Sequence, residues 1–150
     1  MENMFSLSGI AGNYLKAGSE SLTHEDCWIL AVDDNHQVRR RVAENRLCPT
    51  EVLVALSSDH HEEVRIAVGE HPDVPDVVLQ HLAEDESDDV RYALAENANV
   101  NVEILQKLTE DANPYVCHRA RQTLKILNPA SLAELNPRQQ SSSQSYLMSM

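Results

Sequence analysis

NHQVRRRVAENRLCPTEVLVALSSD runs from Asn35 to Asp59. Its pattern returns in EEVRIAVGEHPDVPDVVLQHLAED from Glu62 to Asp85, and in DDVRYALAENANVNVEILQKLTED from Asp88 to Asp111. Valines stand at Val38, Val64, Val90 and Val116, each 26 positions after the last. Arg39, Arg65 and Arg91 follow the first three valines, and Val42, Val68, Leu94 and Ala120 lie four positions beyond each valine. Asp33, Asp59, Asp85 and Asp111 share a register, as do Glu44, Glu70 and Glu96, Leu53, Leu79 and Leu105, and Leu56, Leu82 and Leu108. So many residue types recurring at one interval define an internal repeat of 26 residues.

Each unit predicts two helical pieces. The first opens at Asn35, His61, Ser87 and Asn113. Asn and Ser side chains accept hydrogen bonds from the free N–H groups of a helix start. The next position holds His36, Glu62, Asp88 and Pro114; acids suit a helix N-terminus and proline its first turn. The second piece opens at Pro49, Pro75 and Asn101, with apolar stripes Val52, Leu53, Leu56, then Val78, Leu79, Leu82, then Ile104, Leu105, Leu108. That i, i+1, i+4 spacing marks a helix with one buried face. An earlier copy of the second piece is expected over 27–33, and a closing helix over about 114–127 before Asn128-Pro129.

One unit has about seven aliphatic side chains, each contributing roughly 1.5–3 kcal/mol when fully buried. Ordering 26 residues costs more, at roughly 1–2 kcal/mol of backbone entropy per residue. Neighbouring units must supply the remaining burial, which predicts an all-α solenoid stacked in one dimension.

The recurring Val-Arg…Ala-Glu-Asn/His…Pro…Val-Leu…Leu motif over about 24–127 resembles the leucine-rich repeat variant (LRV) family, a relative of HEAT repeats. The resemblance implies a right-handed superhelix of short helix pairs, α/3₁₀ or α/α, with no sheet. It also implies binding to other proteins and no particular chemistry. Some members place a cysteine cluster for an iron–sulfur centre ahead of the repeats; only Cys27 stands there, so no cluster is carried over. A period of 26 exceeds the compact form of the motif and lengthens one loop per unit.

Around the array, residues 1–23 are expected to form an N-terminal cap, with Met4, Phe5, Leu7, Ile10, Tyr14 and Leu15 near helical spacing over the first open face of the stack. Residues 128–150, rich in Ser and Gln, are expected to form a flexible tail ending in Tyr146-Leu147-Met148, whose apolar residues have the look of a docking peptide. The 150 residues carry 24 acids against 12 Lys and Arg, a formal charge of −12. That balance argues against nucleic-acid binding, which needs a basic footprint. No apolar run approaches the roughly 18 residues of a membrane span. Glu2 stands where an export signal needs positive charge, so a cytoplasmic location is expected. Cys27, Cys48 and Cys117 form neither a disulfide framework nor a CxxC site and predict reduced thiols.

Candidate residues fall into ladders. Arg39, Arg65 and Arg91 lie six positions after Asp33, Asp59 and Asp85, and the guanidinium fork suits bidentate carboxylates. A structural ladder tying each loop to a neighbouring helix is expected over a row of cations for an acidic partner. Glu44, Glu70 and Glu96 would form one acidic strip for a basic partner, or solvated helix ends. Residues 61–86 carry eight acids and one arginine and 87–112 six acids and two bases, whereas 35–60 come to +1 and 113–127 to +3. An acidic centre between milder ends suits a basic protein surface. His24, His36, His60, His61, His71, His81 and His118 match no metal-binding motif; loop or cap positions are expected for them, with an adventitious zinc or nickel site as the lesser alternative. No nucleophile elbow, phosphate loop or catalytic carboxylate pair occurs.

The expectation is therefore a non-catalytic scaffold or adaptor without cofactor or metal, recognising a protein partner through the solenoid surface. The alternative is an accessory protein that holds a cofactor or ligand for an enzyme system, as HEAT-like maturation or lyase-type helpers do.

Overall fold

The computed structural model describes residues 3–127, with side chains from residue 9 onward. Among these the chain forms nine α-helices and no strand. They are α1 (Asn3–Ala17), α2 (His24–Leu30), α3 (His36–Glu44), α4 (Thr50–Leu56), α5 (Glu62–Glu70), α6 (Asp76–Leu82), α7 (Asp88–Glu96), α8 (Val102–Leu108) and α9 (Pro114–Leu127). The segment 128–150, with Tyr146-Leu147-Met148, lies outside the described residues.

Local chemistry sets the helix ends. Asn35, Ser87 and Asn101 accept hydrogen bonds from the N–H groups of Gln37, Asp89 and Glu103 at the starts of α3, α7 and α8. Asn113 accepts from Tyr115 at the start of α9. Pro49 and Pro75 sit extended ahead of α4 and α6, and each offers its carbonyl to the residue four on, Leu53 and Leu79. These i→i+4 bonds make the short pieces α-helical, so of the α/3₁₀ and α/α pairs that the resemblance implied, the described residues form α/α. Helix α2 starts ahead of the expected 27–33 stretch. Thr23 and Asp26 close a capping box that the apolar pattern did not show.

The nine-residue helices α3, α5 and α7 alternate with the seven-residue α4, α6 and α8. Helices α1, α3, α5, α7 and α9 pack in chain order, each on the next. Each short helix packs on the long helices before and after it, α8 against α9 among them. The core is one continuous aliphatic cluster, with Val38, Val42, Val52, Leu53, Val64, Val68, Leu82 and Leu105 fully buried. Among the described residues no aromatic side chain joins it.

Helix α1 packs on α3 and α2 at the start of the array. Ile10, Tyr14 and Leu15 are 38 %, 41 % and 74 % exposed, so these side chains do not cover the core; those of Met4, Phe5 and Leu7 lie outside the described side chains. Helix α1 docks through its last turn instead. Ala17 is fully buried, and a Cβ on Gly18 would stand 2.5 Å from the Arg41 Nε, so the Arg41 side chain lies directly against the glycine. Cys27 and Cys48 are buried and Cys117 half-buried, all three unbridged. Burial pushes the Cys48 thiol up to about 12, which leaves it unreactive.

Candidate functional site

The in-register charges meet between units. Arg39 reaches forward 20 residues to Asp59, with Nε 2.6 Å from Oδ2 and Nη2 3.0 Å from Oδ1. Arg65 grips Asp85 at 2.7 and 2.9 Å, and Arg91 grips Asp111 at 2.8 and 3.2 Å. The aspartate six positions upstream contributes its backbone instead: the Asp33, Asp59 and Asp85 carbonyls each accept from the Nη1 of Arg39, Arg65 and Arg91 at 2.7 Å. Each guanidinium thus bridges the loop before its own helix and the loop of the next unit. The Asp carboxylates also cap the turn, accepting from the N–H groups of Asn35, His61, Ser87 and Asn113. Asp33 lacks an arginine 20 residues before it; Asn13 of α1 stands there and donates to its Oδ2 at 2.7 Å.

Burial alone would raise the carboxyls of Asp59, Asp85 and Asp111. The arginine hydrogen bond, the turn N–H and the guanidinium charge together outweigh it and hold all three below the ordinary carboxylate value. A folded-state value below the unfolded one stabilises the fold above the unfolded value, about 3.9, and that gain is lost as pH falls through the folded value. The urea midpoint should therefore stay level from pH 7 to about 5 and fall steeply below about 4. A midpoint unchanged down to about pH 3 would show that these carboxylates are not linked to folding.

A second ladder carries no charge, and its register alone assigned it no role. Asn45, His71, Asn97 and Thr123 lie 26 apart at the ends of, or within, successive long helices. Asn45 Nδ2 donates to the Ala17 carbonyl at 2.8 Å, Asn97 Nδ2 to that of Gly69 at 3.2 Å, and Thr123 Oγ1 to that of Ala95 at 2.6 Å. His71 accepts at Nδ1 from the Asp73 N–H, which leaves Nε2 to donate to the Asn45 carbonyl at 3.1 Å. The signal in the sequence is the shared register of Asn, His and Thr. It is easily passed over because a polar residue after a helix also suits a solvated turn.

The Glu row is mixed. Glu44 is held by Arg40 at 2.8 Å and by Arg41 at 3.2 Å, and Glu96 by Arg119 at 2.6 Å. Glu70 makes no ion pair among the described residues. Arg41 and Arg119 occupy the same register, with Ala67 and Ala93 between them, so the two ends of the row are neutralised and its centre is not. The excess of acid is wider than this row. Over 61–112 there are 14 acids and three cations. Arg65 is buried on Asp85, Arg91 pairs with Asp111 and Asp88, and Lys107 pairs with Glu84. Every cation of the two central units is thereby committed. In the first part of the array, Trp28, Ile29, Val32 and Val54 of α2, its following turn and α4 are 42–76 % exposed.

The buried polar side chains, Ser57, Arg65, His71, Thr109 and Thr123, all hydrogen-bond to backbone carbonyls or to Asp85. They hold the fold and are not poised for proton transfer. Two histidines lie apart from this scheme. His36, at the first position of α3, and His61, ahead of α5, stack with ring centroids 4.2 Å apart and planes at 12°. One ring nitrogen of each and a Glu63 carboxylate oxygen lie within 4.8 Å of one another. No described helix is long and apolar enough to cross a membrane. The chain matches no protein-family model, no curated protein and no solved structure.

Proposed function

We propose that the chain is a right-handed α-solenoid of the leucine-rich repeat variant kind with a 26-residue unit, acting in the cytoplasm as a non-catalytic scaffold that binds a protein with a basic surface. Helix bounds spaced by 26 in α3, α5 and α7, and again in α4, α6 and α8, support the repeat. The chain-order packing of the long helices supports the stack. One observation carries the binding reading. The two central units pair all three of their cations with their own carboxylates and carry 14 acids, so their surface holds carboxylates in excess. Such a face attracts a basic partner from a distance and excludes nucleic acid. The exposed Trp28 and its aliphatic neighbours supply the apolar contacts that hold a complex once formed.

Affinity capture from the source lysate, read by mass spectrometry, tests this reading. Wild type should retain a basic protein that is released in about 0.5 M salt, where charges are screened within roughly 4 Å. A variant carrying Glu70→Lys and Asp73→Lys, both exposed, should bind it at least about tenfold more weakly while melting within about 2 °C of wild type. A partner held equally by both proteins would contradict the acidic-face reading.

A further inference from the structure

The loop tips ahead of the long helices form a third ladder. In each rung the residue ahead of one long helix meets the first residue of the preceding long helix, 25 positions earlier. Ser87 Oγ donates to Glu62 Oε2, and Asn113 Nδ2 donates to Asp88 Oδ2 at 2.7 Å. Both rungs join a donor to a carboxylate. The rung between α3 and α5 is built from His36 and His61, and no hydrogen bond joins them. His61 also makes no side-chain cap at the start of α5, although Asn35, Ser87 and Asn113 cap their helices from the same register. Its ring turns to His36 instead, and Glu63 stands beside both.

We propose that this rung is a binding site for a borderline divalent transition-metal ion, Zn²⁺ in the first instance, held by His36, His61 and Glu63. Two imidazole nitrogens and one carboxylate oxygen suit zinc, nickel or copper and do not suit calcium or magnesium, which take oxygen cages. The surroundings favour a cation. Glu62 and Glu86 line a hollow with His61 and Glu63, and its one guanidinium, Arg65, is committed to Asp85. Ligands about 2.0–2.1 Å from zinc lie roughly 3.3 Å from one another. The donors within 4.8 Å close to that span when one imidazole turns out of the stack. His36 and Glu63 are half-buried and His61 is exposed, so the turn meets no packed core, and water completes the coordination. The ion would clasp the unit of α3 to the unit of α5 at the rung that lacks its own hydrogen bond. The three donors share no sequence motif and meet only when units pack together.

Untagged protein stripped with EDTA and titrated with ZnCl₂ against a chromophoric chelator at about pH 7.5 tests the site, with thermal melts run in parallel. One equivalent of zinc should bind and raise the melting temperature. His36→Ala and His61→Asn should each weaken binding at least about tenfold and abolish the thermal gain, and Glu63→Gln should weaken it by a smaller factor. His61→Asn places at this position the residue that caps α3 and α9, so the metal-free variant should melt no lower than wild type. His81→Ala, outside the cluster, should leave binding unchanged. Wild type without stoichiometric binding, or His36→Ala and His61→Asn proteins that bind zinc as tightly as wild type, would overturn the assignment.

Discussion

Replacing Val64 with aspartate should leave little folded protein at room temperature. Val64 is fully buried in the first turn of α5, within the continuous aliphatic cluster. The substitution forfeits roughly 1.5–3 kcal/mol of apolar burial. It also places a carboxyl where no donor awaits it, at a further cost of several kcal/mol. Against a total stability of about 5–15 kcal/mol the sum is decisive. The expected result is loss of the helical circular-dichroism signal, or a melting temperature lowered by more than about 10 °C. Val77→Asp makes the same chemical change on α6 at a position 68 % exposed and should shift the melt by no more than about 2 °C. Equal effects at the two sites would mean that the register of the buried face is wrong.

Asp85→Ala should have the next largest effect. Asp85 accepts from both Nε and Nη2 of Arg65 and also from the Ser87 N–H. Side chains of the pair are only 9 % and 6 % exposed. Removing one partner strands a buried guanidinium, which costs about 3–5 kcal/mol. Arg65→Met combined with Asp85→Leu removes both charges together and should be less destabilising than Asp85→Ala alone. The melts of the two proteins decide it. A double variant as unstable as the sum of its single changes would show that the pair acts as two independent side chains and not as a bridge between units.

The long helices were legible almost to the residue because their signals are local. Asn35, Ser87 and Asn113 cap α3, α7 and α9, and the valines repeat on one face. The closing helix was legible for the same reason, with Pro114 at its first position and Asn128-Pro129 after it. Helix α2 was placed late because its copy was read from the apolar residues that begin at Cys27; the repeat register, 26 positions before Pro49, falls on Thr23, which closes the capping box with Asp26. The last turn of α1 docks through Ala17 and Gly18, two small residues that carry no hydrophobic signal. A search for apolar side chains looks past such close approaches.

Among the charges, the periodicity placed Arg39, Arg65 and Arg91 in a ladder with the aspartates but could not choose the rung. Six positions upstream and 20 downstream are equally regular in this chain. Only the packing distance decides that the downstream carboxylate meets the guanidinium while the upstream residue offers its carbonyl. The same limit explains Glu44, Glu70 and Glu96. Their register is periodic, but whether each carboxylate is free depends on Arg40, Arg41 and Arg119, and none of these recurs in every unit.

Deleting residues 61–86 tests the stacking of in-register units most directly. The cut removes one 26-residue period and joins His60 to Ser87. Arg39 keeps Asp59, the Asp59 carboxylate meets the Ser87 N–H, and Arg91 inherits the Asp59 carbonyl from Arg65, so every rung of the arginine–aspartate ladder is remade. In a one-dimensional stack stability is a sum over units and their neighbours. The shortened protein should keep a helical spectrum and a cooperative melt at a lower temperature, whereas deletion of 61–73, half a period, should unfold it. An unfolded spectrum for the in-register deletion, or equal behaviour of the two deletions, would contradict the stack.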